Sequence, residues 1–501
     1  MCGVVSEAWR RDYSRGMRVC GGESGGVRES QASRELSEAM GRDYHPTYAS
    51  VRLASEDVAR EVPCHLRGGV MYQMFLRMLT QAGTFRAAEE LVPHLAGLGV
   101  DVVYLCPFTL ADDDGDEAFW SGRQVASGLG NARNPYRQKD FFAVDPEYGS
   151  REELLSLVGA LHGAGMRVLF DLVYFHCGPG AVFLGEHPEY VRRREDGSFQ
   201  LGGWRFPELD LGNPAVREYL YGNMAYLVRE FDADGFRCDV GDMLPVDFWE
   251  EAHRRLTALK PDAVMMCEGL RGDDQHEAFD LSYGFYTQWA IKDILRGKAG
   301  ADELRRAQEK ELVDYPRGFH WMRCFDNHDY AMDTTMAGGR YEATAGPDAC
   351  AAMLAVIFML NGMPMLYNGQ EVADDAPHSI YANREHGRLS VNWARTVTPV
   401  GQSRLELVRR LTALRHAHPG LFDAPVVWQE TAEPSATLAF TRPLPEGALT
   451  LAANVTGRAG AVSLPSALGA GRLVLSSAGV ELSDGVVSLP AHGFAIVGRL
   501  D

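Results

Sequence analysis

Four carboxylates, one arginine and two histidines are the side chains whose types and spacing best support chemistry in this chain. Each ends or closely follows a short apolar run of strand length; the seven are Asp171, His176, Arg237, Asp239, Glu268, His328 and Asp329. A single carboxylate at the end of a strand is as consistent with capping a neighbouring helix as with catalysis. Seven such groups after four different strands are more polarity than packing requires. We therefore predict that they converge on one catalytic pocket.

The apolar runs that would position these groups alternate with helical patterns. The runs of strand length are Val70–Leu76, Val102–Leu105, Arg167–Val173, Gly235–Asp239, Ala263–Glu268, Asp280–Ser282, Trp321–Phe325 and Pro364–Tyr367. Strands that are apolar on both faces and separated by helices indicate a parallel sheet covered on both sides. Eight such units favour a (β/α)8 barrel, the TIM-barrel form of the α/β class. An open doubly wound sheet fits less well, because no glycine-rich phosphate loop follows the first strand.

Composition changes along the chain predict three regions. Residues 1–66 are rich in Gly, Ser, Arg and Glu without a sustained period, and we expect a mobile N-terminal extension there. Residues 67–418 form the predicted barrel, which includes a short inserted segment, 177–212, after the third strand. Residues 419–501 contain short apolar runs separated by Gly, Pro, Ser and Asp, which is typical of a C-terminal all-β sandwich domain.

Charge and cysteine usage exclude several classes of partner. The chain has 49 Lys+Arg and 68 Asp+Glu, a net charge of −19, so we predict no nucleic-acid partner and no anionic membrane partner. The longest apolar run, Cys350–Leu360, is too short to span a bilayer, and the N-terminus has charges where an export signal needs an apolar core. Several of the nine cysteines lie singly in predicted strands, without a CxxC pair. These features predict a soluble cytoplasmic protein.

Four segments that carry the polar groups resemble the four motifs of the α-amylase superfamily of glycoside hydrolases, in the same order and on the same strands. They are DLVYFH (171–176), GFRCDV (235–240), CEG (267–269) and FDNHD (325–329). Further matches are MYQMFLR (71–77), NPYRQKDFFAVDPEYGS (134–150), FPELDLGNP (206–214) and GMPMLYNGQE (362–371). The resemblance runs from about Gly69 to the C-terminus, because this family also ends in a small β domain.

The resemblance implies a retaining hydrolase that cleaves α-glucosidic bonds in α-glucans or maltooligosaccharides. It implies that Asp239 is the nucleophile, Glu268 the general acid/base and Asp329 a third carboxylate that holds sugar hydroxyls. Arg237 lies two residues before Asp239 on the same strand face, so its charge should keep Asp239 ionised. Glu268 should have a raised pKa, so that it starts the reaction protonated.

The resemblance also implies the residues that bind the sugar. Tyr136 is expected to stack on the ring, with a tyrosine that only packs in the core as the alternative, and the other substrate-binding residues are Asp171, His176, Arg237 and His328. Three aromatic residues on the long loops could add stacking platforms or could simply pack locally: Phe108, Trp120 and Trp204. Many α-amylases have a Lys-His pair three and four residues after the nucleophile, where this chain has Asp242 and Met243. Recognition of the acceptor side is therefore expected to differ.

No metal and no other cofactor is predicted. In many α-amylases an asparagine just before the histidine of the first motif ligates calcium, and this chain has Phe175 there, which offers no oxygen. We therefore expect activity to survive chelation. An alternative calcium site built from Asp112, Asp113 and Asp114 remains open, although acidic runs on loops are usually solvated.

Two alternative functions use the same motifs. A transglycosylase of the same family would transfer the sugar to another sugar hydroxyl in place of water. A non-catalytic family member that acts as a binding subunit should have lost a catalytic carboxylate, whereas all three are present here. The sequence does not decide between α-1,4 and α-1,6 linkages, between exo and endo action, or among oligomeric states.

Overall fold

Eight parallel strands close into a barrel in the structure, a computed structural model that describes residues 58–331, 339–464 and 471–500. The strands are β1 (Met71–Met74), β2 (Val102–Leu105), β3 (Arg167–Leu172), β4 (Gly235–Cys238), β5 (Val264–Cys267), β6 (Leu281–Tyr283), β7 (Trp321–Arg323) and β8 (Met363–Tyr367). They pair in chain order, and β8 pairs with β1 to complete the ring. The predicted (β/α)8 barrel is confirmed.

Helices connect the strands and cover the outside of the barrel. They are α1 (Leu76–Leu79), α2 (Phe85–Glu89), α3 (Val92–Leu98), α4 (Gly122–Ala126), α5 (Arg151–Gly163), α6 (Pro214–Phe231), α7 (Val246–Leu259), α8 (Phe285–Leu295), α9 (Asp302–Asp314), α10 (Tyr341–Thr344), α11 (Pro347–Met359) and α12 (Pro399–Ala417). Ser150 and Glu153 form a capping box that begins α5. Pro93 lies in the first turn of α3, so the helical pattern of this region is divided between α2 and α3.

Side chains of each barrel strand alternate between two cores. On β5, Val264 and Met266 face the barrel interior, whereas Met265 and Cys267 pack outward against the helices. The interior is filled mainly by methionine, tyrosine and aliphatic side chains, including those of Met71, Tyr104 and Tyr283. The interior is therefore a packed core, and polar groups that face inward do so near the carboxyl ends of the strands.

Two antiparallel sheets follow the last barrel helix. Their strands are β9 (Val427–Gln429), β10 (Thr437–Leu444), β11 (Gly447–Asn454), β12 (Gly460–Ser463), β13 (Arg472–Ser476), β14 (Glu481–Ser483), β15 (Val486–Leu489) and β16 (Phe494–Leu500). One sheet has the order β9-β10-β11-β16-β13, and the other has the order β12-β15-β14. A small core that includes Ala452 and Val487 joins the two sheets, in agreement with the predicted C-terminal β sandwich.

The first described residues differ from the mobile extension predicted for residues 1–66. Ala59 donates its backbone N–H to the carbonyl oxygen of Arg317 at 2.8 Å, and Val62 and Leu66 are buried. Residues 58–66 therefore pack against the barrel, since they contribute apolar side chains to its core. Residues 1–57 of the predicted extension lie outside the described residues.

Two further properties concern the whole of the described chain. In residues 58–331, 339–464 and 471–500, no helix is both long enough and apolar enough to cross a membrane. The cysteines of these residues are all free thiols: Cys64 is exposed, and the buried ones are Cys106, Cys177, Cys238, Cys267, Cys324 and Cys350.

Candidate active site

Strand register places an arginine and an aspartate side by side at the mouth of the barrel. Asp171 of β3 is the direct partner of Arg237 of β4, and the Arg237 Nη1 donates to Asp171 Oδ1 at 2.7 Å. The other oxygen of Asp171 accepts hydrogen bonds from the hydroxyls of Tyr104, at 2.6 Å, and Tyr136, at 2.9 Å. The Asp171 side chain is fully buried. Its contacts hold Arg237 and Tyr136 in place, so it acts on the site through them.

Arg237 bridges the two carboxylates implied as nucleophile and acid/base. Its Nη1 donates to Asp239 Oδ1 at 2.8 Å, and its Nη2 lies 2.6 Å from Glu268 Oε2. Asp239 directly follows β4 and Glu268 directly follows β5. One guanidinium therefore holds the two carboxylates at the same height in the barrel mouth, where a substrate bond can lie between them.

The turn after β4 links the same two residues through the backbone. Val240 has a φ of 40°, in the left-handed region that a β-branched residue rarely adopts. In this conformation its backbone N–H donates to Glu268 Oε2 at 3.0 Å. Backbone strain of this kind persists only where neighbouring contacts enforce it, and it concentrates at functional sites. Here the strained turn follows Asp239 and orients Glu268.

Burial dominates the protonation of this carboxylate pair. It raises the pKa of Asp239 well above the ordinary range, with Arg237 opposing the rise and Glu268 adding to it. Burial also raises the pKa of Glu268, again against the charge of Arg237. Arg237 thus lowers the pKa of Asp239, as expected from the sequence, but burial raises that pKa by more. Because both pKa values rise and one arginine serves both groups, the pair retains a proton more readily than isolated carboxylates do.

The third carboxylate, Asp329, lies beside a stacked pair of rings. His328 and Tyr136 stack with centroids 5.2 Å apart, and His328 Nε2 lies 3.4 Å from Asp329 Oδ2. Gln73 Nε2, from β1, lies within hydrogen-bond distance of His328 Nδ1, at 2.7 Å. Burial alone would raise the pKa of Asp329, but His328 and Arg123 outweigh it and hold that pKa at about 2. Asp329 is therefore the carboxylate that stays ionised.

His176 lies next to Tyr136. Its Nε2 donates to the backbone carbonyl oxygen of Tyr136 at 2.7 Å. The rings of Trp204 and Phe206, both from the inserted segment, lie 5.6 Å and 4.9 Å from the His176 ring. His176 thus connects the inserted segment to the loop that carries Tyr136.

The three loop aromatics have different surroundings. Phe108 is 2% exposed and packs edge-on against Phe170 and Phe231, so it is a core residue and cannot be a sugar platform. Trp120 is also buried, and its Nε1 donates to the carbonyl oxygen of Asp114 at 3.0 Å. Trp204 is partly exposed beside His176. Of the three, Trp204 is therefore the one placed to meet a ligand.

The position of the Lys-His pair is occupied by a buried acid. Asp242 follows the strained turn, and its Oδ2 accepts the backbone N–H of Leu270 at 3.0 Å. Burial raises the pKa of Asp242 to about 7, against the charge of Arg271. This carboxyl lies on the Glu268 side of the site, so the acceptor side differs from the family pattern in charge as well as in residue type.

The segments considered for calcium are occupied by internal contacts. The ring of Phe175 packs against Trp204, and Phe175 is buried. Asp112 accepts the backbone N–H groups of Gly180 and Asp114, each at 2.7 Å, while Asp113 pairs with Lys139 at 2.6 Å. Within the described part of the chain, no group of three or more His, Cys, Asp or Glu side chains is arranged to hold a metal ion.

Sequence reasoning missed three residues that shape the site. Gln73 and Tyr104 carry polar groups inside the apolar runs of β1 and β2, and this interruption of the apolar pattern is a signal present in the sequence. Arg123 donates its Nη1 to Asp329 Oδ1 at 2.8 Å, although the two residues are 206 positions apart. No local sequence pattern marks that contact.

A family model and individual relatives both match this chain. The family model described as the catalytic domain of α-amylase matches residues 78–199 and 183–399. A cyclomaltodextrinase from a Bacillus species is 28% identical over 326 residues, covering 59% of this chain and 53% of the relative. An intracellular maltogenic amylase from Bacillus subtilis is 25% identical over 389 residues, covering 73% of this chain and 60% of the relative. The chain therefore spans little more than half the length of these two relatives.

Solved structures share the architecture. An α-amylase from Lactobacillus plantarum has a TM-score of 0.71 at 24% identity, covering 87% of this chain and 99% of that one. A maltogenic α-amylase from Thermotoga neapolitana has a TM-score of 0.72 at 22% identity, covering 87% of this chain and all of that one. At these identities the likeness shows the fold.

Proposed function

Because this chain belongs to the α-amylase family, we propose that it is a retaining glycoside hydrolase that cleaves α-glucosidic bonds in α-glucans or maltooligosaccharides. The observation that carries the proposal is the pair Asp239 and Glu268, held by Arg237 at the carboxyl ends of adjacent barrel strands. The printed names of two relatives, cyclomaltodextrinase and maltogenic amylase, support an α-glucan as the substrate class.

The first chemical step forms a covalent intermediate. Glu268 donates its proton to the glycosidic oxygen, while a carboxylate oxygen of Asp239 attacks the anomeric carbon from the opposite face. The bond between the anomeric carbon and the glycosidic oxygen breaks, and the leaving sugar departs with the proton. The raised pKa values of the pair suit this step when the proton that the pair retains lies on Glu268, because Glu268 must be protonated and Asp239 ionised when the substrate binds.

The second step releases the sugar. Glu268, now ionised, takes a proton from water, and the water oxygen attacks the anomeric carbon as the bond to Asp239 breaks. Every atom in the two steps comes from the substrate, water or these two side chains. The proposed mechanism therefore needs neither a metal nor another cofactor.

The remaining groups hold the sugar and the catalytic pair. Asp329 stays ionised and accepts hydroxyl hydrogen bonds, while His328 and Tyr136 line the pocket beside it. His176 lies with Trp204 at the edge of the inserted segment, in reach of the same sugar. Asp171, placed in substrate binding by the family resemblance, acts by holding Arg237 and Tyr136.

We also propose that the protein works in the cytoplasm. The free, mostly buried thiols of the described residues suit a reducing compartment, and one relative carries the word intracellular in its name. The partner that we propose is the substrate itself, an α-glucan or a maltooligosaccharide.

Product analysis tests the proposed function. The purified protein is incubated separately with maltose, isomaltose, maltoheptaose and starch, and the products are separated by chromatography and mass. We expect smaller α-linked sugars from at least one of these substrates. Products longer than the substrate would identify transfer in place of hydrolysis, and unchanged substrates in all four reactions would contradict both functions.

A further inference from the structure

A salt bridge closes one end of the candidate site. From the Arg123–Asp329 pair we infer that the pocket accepts a single sugar on the glycone side, so that the enzyme removes glucosyl residues one at a time from the non-reducing end. This inference rests on the proposed function, because it concerns where the same substrate is cut. It makes Arg123 a specificity-determining residue for the proposed reaction.

The contact itself involves both the side chain and the backbone of Asp329. Arg123 Nη1 donates to Asp329 Oδ1 at 2.8 Å, and Nη2 donates to the Asp329 carbonyl oxygen at 3.2 Å. The Arg123 side chain is only 11% exposed, whereas that of Asp329 is 32% exposed. Asp329 thus keeps part of its side chain accessible while it is paired with the more deeply buried Arg123.

The loop that carries Arg123 is fixed on both sides. Ser121 caps α4 by accepting the backbone N–H of Gln124, and its hydroxyl lies 3.0 Å from the hydroxyl of Tyr381. Asn131 Nδ2 donates to the carbonyl oxygen of Tyr381 at 2.8 Å. The loop after β2 is therefore joined to the segment after β8. These hydrogen bonds hold the loop in place, and Arg123 with it.

Barrel order shows on which side of the site this closure lies. In a ring of eight strands, β8 and β1 stand opposite β4 and β5, which carry Asp239 and Glu268. The contact from Arg123, after β2, to Asp329, after β7, therefore spans the side of the mouth that faces the catalytic pair. The acid/base stands beside the leaving group that it protonates. The glycone must consequently extend toward Arg123.

This placement decides what kind of chain can be cut. Cleavage within a chain requires space for further sugars beyond the glycone ring. An ion pair at that point, with the Arg123 side chain 11% and the Asp329 side chain 32% exposed, takes up this space, and opening it would leave the buried Arg123 charge without its partner, which is unfavourable. The substrate then enters by its non-reducing end, and the product is one glucose for each cleavage.

Two labelled substrates test the inference on the wild-type protein. One is maltoheptaose with a chromophore on its reducing end, and the other is the same molecule with the terminal 4- and 6-hydroxyls blocked. We expect glucose as the first unlabelled product, a labelled series that shortens by one sugar at a time, and a kcat/KM for the blocked substrate below about one hundredth of the free one. Maltose or longer products at the start, or ready cleavage of the blocked substrate, would overturn the inference.

Variants then assign the effect to Arg123. In Arg123→Ala, the ratio of kcat/KM for the blocked to the free substrate should rise by at least about tenfold. Arg133→Ala is the matched control, because Arg133 is on the same loop and pairs with Asp145 at 2.9 Å, away from Asp329. It should retain the wild-type ratio. If Arg123→Ala folds and the ratio of kcat/KM values is unchanged, Arg123 does not close the glycone end. If the variant does not fold, the product pattern of the wild-type protein still decides whether cleavage starts at the chain end.

The outcomes separate this inference from the function on which it rests. If the wild-type protein cleaves neither the free nor the blocked substrate nor any other α-glucan, the proposed function fails and the inference fails with it. If it hydrolyses maltooligosaccharides from within the chain, the proposed function stands and only the closure by Arg123 is wrong.

Discussion

Asp239→Ala is expected to lower kcat for maltooligosaccharide hydrolysis by about 10⁴-fold or more, the size typical of removing a nucleophile. Without the Asp239 carboxylate no covalent intermediate can form, and water has no oriented path to the anomeric carbon. The fold should remain, because the variant removes one acid from a buried cluster that has more carboxylates than arginines. Steady-state rates and a thermal melt by circular dichroism measure the two expectations.

A nearby acid provides the control for this variant. Asp242 is also a buried carboxyl in the turn after β4, but its Oδ2 bonds to the backbone of Leu270. Asp242→Asn keeps an oxygen acceptor at that position and should keep kcat within about tenfold of wild type. Near wild-type turnover in Asp239→Ala would show that Asp239 is not the nucleophile.

Glu268→Gln should lower turnover of maltooligosaccharides by about 10³-fold, because the leaving sugar then departs without a proton. An aryl glucoside with a good leaving group needs little protonation. Its first step should therefore lose far less in Glu268→Gln than in Asp239→Ala. Rapid-mixing measurements of aryl release give the rate of that step directly. Equal losses with both kinds of substrate would contradict the role of Glu268 as the acid.

The same variant should change the dependence of rate on pH. A general acid must be protonated, so kcat/KM for wild type should fall as the pH rises through the raised pKa of the catalytic pair. For maltooligosaccharides, the residual activity of Glu268→Gln should lack this alkaline fall, since glutamine does not titrate. Asp242, with a pKa of about 7, is the competing explanation. Asp242→Asn should therefore keep the fall in kcat/KM at alkaline pH. If the fall disappears in Asp242→Asn, the group responsible is Asp242.

Much of the barrel and the position of the candidate catalytic groups could be predicted from the sequence because both depend on local patterns. An apolar run followed by Asp239 or Glu268 is visible in a few residues, and parallel strand ends must meet at one edge of the barrel. The capping box at Ser150 is equally local, and the structure confirms the helix that it begins. Such features need no knowledge of distant contacts.

The contacts that define the closed end could not be predicted in this way. Arg123 meets Asp329 only after the loop that follows β2 has folded across the barrel mouth, and an arginine on a loop has no distinctive neighbours in sequence. Phe108 shows the same limit: its position after β2 left both a sugar platform and local packing open, and in the structure the side chain packs into the core against Phe170. Burial depends on elements that are distant along the chain.

Proton NMR of the first product tests most directly the central claim that Asp239 and Glu268 carry out two successive displacements. The reaction is followed at early times, before mutarotation mixes the anomers, with a maltooligosaccharide as substrate. Two inversions at one carbon restore its configuration, so the new reducing end should first appear as the α anomer. A β anomer appearing first would mean a single inversion by water, and it would contradict the roles assigned to both carboxylates.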